Sequence, residues 1–328
     1  MKIFKNIFLI IFSLWTMSSI FAQSSGIDKV GTTSFQFLKV MNDARSTGMG
    51  EAFVSVANTS NAVFWNPAAI TNVENFDLSS SFVKWFFDVS HYSLAVAYNL
   101  EGFGRIGLQA IMNDLGTIEV TRVDHLVKDE SGNYNPGLTG ETISPGFKVF
   151  GLTYAKQLTD KFSFGITAKY VVEDLVAKKA AALVFDGGIL YNTGYRSIKV
   201  AAALRHFGPE IIYFDRSYPL PQTFTIGISA ELFSPSDPLI SQLQDQTLLF
   251  SYNLSQPRDY SQQHHVGFEY SYLNMFFLRA GYKINFDEEG ITFGAGVKYK
   301  NYRIDYSFND YGQFLGNVHR FSVGLEID

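Results

Sequence analysis

From His265 to its end the chain alternates apolar and polar residues almost without a break, and a period of two admits only β-strand. Val266, Phe268, Tyr270 and Tyr272 fall on one side, Gly267, Glu269 and Ser271 on the other. The same division recurs in Leu278/Ala280/Tyr282/Ile284 against Arg279/Gly281/Lys283, and in Tyr302/Ile304/Tyr306/Phe308 against Arg303/Asp305/Ser307. Each run is about 9–11 residues, the length a tilted strand needs to cross a bilayer. One face is aromatic and aliphatic, the other small or charged, which places lipid outside and water inside. The expected fold is all-β: a transmembrane antiparallel up-and-down barrel.

The front of the chain fits that address. Residues 1–22 carry Lys2 and Lys5, an apolar stretch from Ile7 to Trp15, and Ala22 before Gln23, the layout of a cleaved signal peptide. The stretch is too short for a spanning helix. Aromatics make up 16% of the residues, which suits the girdles of a barrel at the membrane interfaces. The formal charge of −5 leaves no basic stripe for nucleic acid. With Cys 0, disulfides, thiolate metal sites and a cysteine nucleophile are excluded.

Period-two runs from Phe76 onward give about fourteen strands, at 76–86, 90–100, 103–115, 146–158, 161–174, 182–193, 197–207, 222–233, 246–254, 263–273, 275–285, 290–300, 302–309 and 319–328. An even count suits a bacterial barrel, as does the rule that connections are short at one end and long at the other. Glu101-Gly102, Thr159-Asp160, Leu273-Asn274 and Lys300-Asn301 are tight, whereas Gly116–Pro145 and Gly208–Pro221 are long. The exception is Ser234–Asp245, long at the short-turn end, which implies a short helix there or a miscounted strand pair. Segment 117–123 reads as an extension of the third strand.

Residues 23–75 do not alternate, so the chain divides into a signal peptide at 1–22, this segment, and a barrel at 76–328. Phe35, Phe37, Leu38, Met49, Phe53 and Trp65 are too apolar for a tail in water, and a barrel of this width has room for a hatch inside. Gly48 and Gly50 permit backbone conformations closed to other residues, and Asn66-Pro67 forces an extended or turn geometry. Arg45, among small residues, is expected to pin the segment through a lumen carboxylate, Glu269 or Asp305.

The stretches Phe35-Gln-Phe-Leu-Lys, Asp43-Ala-Arg-Ser-Thr-Gly-Met-Gly-Glu-Ala-Phe-Val-Ser-Val-Ala and Ala62-Val-Phe-Trp-Asn-Pro-Ala-Ala-Ile, with Val266-Gly-Phe-Glu-Tyr and Leu278-Arg-Ala-Gly-Tyr-Lys, resemble the PorV/PorQ family. That family is a Bacteroidetes branch of the FadL-like outer-membrane barrels. The resemblance implies a component of the type IX secretion system in the cell outer membrane. Its partners would be secreted proteins with C-terminal signal domains, the translocon and attachment-complex proteins, and outer-membrane lipid. Aromatics on the long loops, Tyr134, Phe207, Tyr213, Phe214 and Tyr218, are the candidate anchors for such partners.

The alternative is a FadL-like transporter of hydrophobic small molecules, with Phe35, Phe37, Phe53, Phe64 and Trp65 lining a pocket and Gly187 or Gly188 marking a strand kink. An enzyme is not expected, and neither a cofactor nor a metal is implied. The six His residues show no spacing for a nucleophile pair or a metal site, and His264 and His265 point to opposite faces of one strand.

Overall fold

A backbone group left without a partner in hydrocarbon costs several kcal/mol, so strands can cross a bilayer only in a sheet that closes on itself. In a computed structural model describing residues 29–176 and 178–327, the chain does this. The signal peptide expected at 1–22 lies outside the described residues. Fifteen strands form one sheet. Setting aside the two-residue Ser241–Gln242, fourteen remain: β1 Phe76–Lys84, β2 Ser90–Leu100, β3 Gly104–Asp114, β4 Gly146–Gln157, β5 Phe162–Asp174, β6 Lys179–Asn192, β7 Lys199–Phe207, β8 Thr223–Ser234, β9 Gln246–Pro257, β10 Gln263–Tyr272, β11 Phe276–Ile284, β12 Ile291–Tyr299, β13 Tyr302–Asp310 and β14 Asn317–Ile327. Each pairs antiparallel with the next, and β14 closes on β1 from Phe76↔Ile327 to Lys84↔His319.

Alternation sets the faces. On β13, Tyr302 and Ile304 are 65% and 61% exposed, while Arg303 and Asp305 between them are 8% and 3%. The exposed set is the lipid-facing belt. The buried set faces the lumen, which is filled from within by the non-alternating residues 33–73 (Met49, Phe53, Val54, Val63, Ala68 and Ile70 are fully buried there). Each of these fully buried Met, Phe, Val and Ile side chains stabilises by about 1.5–3 kcal/mol relative to exposure.

The short and long connections separate as expected, and three details differ. Residues 235–245 form neither a helix nor a missed strand pair. They fold back so that Ser241 pairs parallel with Phe233, with Leu239 and Ile240 amides donating to the Glu231 and Leu232 carbonyls at the end of β8. The 117–123 segment does not extend β3. Ile118–Thr121 pairs with Leu138–Ile143 as a separate hairpin, because Gly116 at φ 73 breaks the strand direction. Gly187 lies at a bulge: β6 and β7 shift register between Phe185 and Gly187, and His206 opposite takes φ 62. His264 and His265 do face opposite ways. The first bonds Tyr252 on the outside, the second the Gly50 carbonyl inside.

Candidate functional site

The lumen is organised in three levels, set by which inward side chains the strands supply. At the short-turn end the inward residues are charged. Arg45 stands in a single helical turn, Ala44–Gly48, which Asp43 caps by accepting from the Arg45 and Ser46 amides. That turn aims the guanidinium at β10, where Nε and Nη2 donate to the two oxygens of Glu269, each at 2.8 Å. Arg279 on β11 then bridges Glu269 and Asp305, at 2.6 Å to each. Of the two carboxylates expected for Arg45, Glu269 takes it directly and Asp305 is joined only through Arg279. A cavity of about 460 Å³ opens beside this layer, lined by Lys199, Glu231, Lys298 and Glu326 among others.

In the middle, backbone meets backbone. A Cβ on Gly48 would lie 3.0 Å from the Gly294 Cα of β12, and one on Gly50 would lie 2.8 Å from the Tyr282 nitrogen. Opposite, Pro67 opens the turn Pro67–Asn72, which Asn66 caps by accepting from the Ala68 amide. Asn66 Nδ2 also donates to the carbonyls of Val54 and of Ile189 on β6, so one side chain ties two stretches of the segment to the wall. All five residues singled out in the segment, Arg45, Gly48, Gly50, Asn66 and Pro67, thus contact or face the inner wall.

At the long-loop end a cavity of about 410 Å³ remains. Its rings are Trp65, Trp85, Phe86, Tyr260, Phe286 and Tyr311, and residues 39–41 and Glu51 of the segment also line it. Arg205 projects into it with its guanidinium 5.0 Å from the Trp65 ring centroid. Of the five aromatics considered for a hydrophobic pocket, only Trp65 reaches this cavity. Phe53 is fully buried beneath, 5.9 Å from the Trp65 ring, and Phe64 packs with the same cluster. Phe35 and Phe37 belong to a separate apolar cluster against β4–β6. The reason is chain path: the segment runs from the mouth to Arg45 at the turn end, returns to the mouth cavity at Glu51 and Trp65, and descends again to Val73, so its aromatics are spread along the axis.

The mouth holds a clamp that sequence reasoning missed. Asp259, in the connection between β9 and β10, accepts on Oδ2 from Thr33 Oγ1 at 2.8 Å, Gln36 Nε2 at 2.8 Å and Lys39 Nζ at 2.6 Å. A lone acidic residue beside Arg258 and Tyr260 gives no sign of partners more than two hundred positions away. Burial pushes the Asp259 carboxyl up, but the three hydrogen bonds and the Lys39 charge outweigh it and hold it below the usual carboxylate range. The sign follows: the stabilisation is complete above the value of a free aspartate, about 3.9, and disappears as pH falls through the depressed value of the clamped state. Hydrogen-exchange protection of residues 33–39, corrected for intrinsic rates, should therefore be flat from neutral pH down to the value of a free aspartate and collapse at lower pH, as the clamped carboxylate takes up its proton. Asp259→Asn should show the loss already at neutral pH.

The five loop aromatics do not form one patch. Tyr213, Phe214 and Tyr218 share the small hairpin 211–218, with Phe214 at its tip, 71% exposed. Tyr213 is not free, since its hydroxyl donates to Glu173. Phe207 ends β7 and Tyr134 sits in the connection from β3 to β4, under the Lys128 ammonium at 5.0 Å.

Among solved structures the chain is similar to the CymD monoaromatic hydrocarbon channel, at 13% identity over 88% of this chain and 98% of that one, with a TM-score of 0.56. It is also similar to the Pseudomonas putida toluene transporter TodX, at 15% identity over 85% and 95% of the two chains and a TM-score of 0.55. A Pseudomonas aeruginosa FadL homologue aligns at 11% identity over 88% and 99%, with a TM-score of 0.48. The fold shared with the first two is the closed antiparallel barrel. No family model and no curated protein matches the sequence.

Proposed function

We propose that the chain is an outer-membrane channel that admits small hydrophobic molecules at its long-loop end. The observation that carries this reading is the aromatic-lined cavity at the mouth, which residues 39–41 and Glu51 also line. Its rings supply apolar surface, and Lys39, Glu51, Arg205, Asp287, Glu288 and Glu289 line it as well; a concave chamber that combines apolar walls with placed polar groups is the general form of a small-molecule site. The likeness of fold to a monoaromatic hydrocarbon channel and a toluene transporter supports it. Residues 33–73 act as a hatch, held by Arg45 at the turn end and by the clamp on Asp259 at the mouth, and passage requires part of that hatch to move. Export would depend on the signal peptide expected at 1–22.

A second reading is favoured by the residues at 43–50 and 62–70 that resemble the PorV/PorQ signature, together with the projecting hairpin tipped by Phe214. In that reading the barrel binds secreted proteins by their C-terminal signal domains and passes them from translocon to attachment complex. One experiment separates the two. The tagged chain is purified from its native outer membrane in gentle detergent, and both proteins and extractable small molecules are identified. The channel reading expects a barrel carrying hydrophobic ligand and no stoichiometric protein partner. Recovery of a giant translocon barrel with signal-bearing cargo would overturn it in favour of secretion.

A further inference from the structure

A charged side chain on the lipid face of a barrel is tolerated near the headgroups, and its cost grows with depth. Lys148 of β4 is such a residue. It is exposed between the inward Phe147 and Val149, and among the described residues no carboxylate lies within ion-pair distance of it. His319 of β14 is also outward and exposed, and stands beside Lys84 of β1 in the ladder. The Tyr306 hydroxyl meets its Nδ1 at 2.8 Å. With that hydroxyl as donor the ring proton sits on Nε2, which can donate to an acceptor outside the barrel. A second such pair, Tyr252 with His264 at 2.7 Å, recurs on β9 and β10.

Between Lys148 and His319 the lipid face is apolar and continuous. Register sets Met112 beside Lys148, Tyr92 beside Met112, Phe82 beside Tyr92 and Phe321 beside Phe82. Tyr92, Met112 and Phe321 are about half exposed. From β4 to β14 is four strand spacings, about 19 Å at ~4.8 Å each. The row therefore runs from donor to apolar floor to donor. It lies at the long-loop end, which in a bacterial outer-membrane barrel faces the outside. On the opposite rim the lipid-facing strand residues are rings, Tyr98, Tyr191, Tyr272, Tyr299 and Tyr302, joined by Lys156. Donors are thus concentrated where the outer leaflet presents its headgroups, and negative charge is what complements them.

We infer that the lipid face from Lys148 to His319 binds a phosphorylated glycolipid of the outer leaflet. Lys148 holds the headgroup by charge at one end and His319 by donation from Nε2 at the other, while acyl chains lie on Tyr92, Met112 and Phe321. A sugar headgroup is specified because a single phosphodiester cannot reach both ends of the row. The inference holds under either reading of the lumen, since none of these side chains faces inward.

The test is native mass spectrometry of the full chain in mild detergent, titrated with bisphosphorylated lipid A or with the same lipid stripped of phosphate. Lys148→Ala and His319→Phe should each weaken retention of the phosphorylated lipid about fivefold, the worth of one basic group at a headgroup surface. Together they should weaken it about twenty-five-fold, because they lie too far apart to couple. Stripped lipid should bind the unaltered chain as weakly as phosphorylated lipid binds the double variant. Lys156→Ala, on the other rim, should change nothing. If His319→Phe does not fold, as judged by heat-modifiable migration, Lys148→Ala carries the test alone. Equal retention of the two lipids, no loss in any folded variant of the row, or an equal loss in Lys156→Ala overturns the inference.

Discussion

Replacing Glu269 by alanine should loosen the lumen more than any other single side-chain deletion. Glu269 receives two hydrogen bonds from Arg45 and one from Arg279, and its side chain is 7% exposed. Without it two buried guanidinium groups face each other, Arg45 keeping the neutral Asn58 and Arg279 sharing Asp305 with Arg303. Removing one partner of a buried ion pair costs about 3–5 kcal/mol, because the charge left behind keeps its desolvation penalty. Arg45→Ala should cost less, since Arg279 still satisfies Glu269. The expected results for Glu269→Ala are a large fall in the temperature at which the barrel loses its heat-modifiable migration, and new sensitivity of cells to large antibiotics. An unchanged melting temperature would mean that the charged layer does not hold the segment in place.

How much of this was legible in the sequence depends on the range of the interaction that decides each feature. Strand positions are decided by neighbours two apart. A run such as Ile291/Phe293/Ala295/Val297 gives β12 away without reference to anything else, and all fourteen barrel strands lie within a few residues of where alternation puts them. The connection 235–245 could not be read so, because its form depends on Glu231 and Leu232 offering carbonyls at the end of β8, which no local pattern encodes. Arg45 was legible as a residue that must find a carboxylate, but the choice of Glu269 over Asp305 depends on the register of β10 against β11, Glu269↔Arg279. The inward valines of β4–β6 were hidden for the opposite reason. Val149, Val171 and Val184 sit on strands whose outward faces are also apolar, so alternation fades there and the inner face reads as ordinary strand.

Glycine positions on the wall carry the last and sharpest expectation, because their role is visible only when segment and strand are brought together. A Cβ on Gly281 of β11 would lie 2.1 Å from the Gly50 nitrogen and 2.3 Å from the Met49 carbonyl carbon. Both are backbone atoms, so no rotamer change relieves the clash. Nor can Gly50 retreat: it sits at φ 61, a conformation other residues rarely hold, and its carbonyl accepts from His265 at 2.8 Å. The strand itself has no such conflict, since Gly281 keeps its ladder partners Gly267 and Thr292. Gly281→Ala should therefore leave barrel assembly intact and displace residues 48–51, at a cost of about 1–3 kcal/mol or more, the usual range for overpacking. In planar bilayers the unaltered chain should be nearly silent and Gly281→Ala should conduct. Gly187→Ala, where an added Cβ meets nothing within 4 Å, is the control and should remain silent. Silence from both would show that the lumen stays closed without the fit between Gly50 and Gly281; conduction from both would mean that an added methyl anywhere on the wall disturbs the barrel itself.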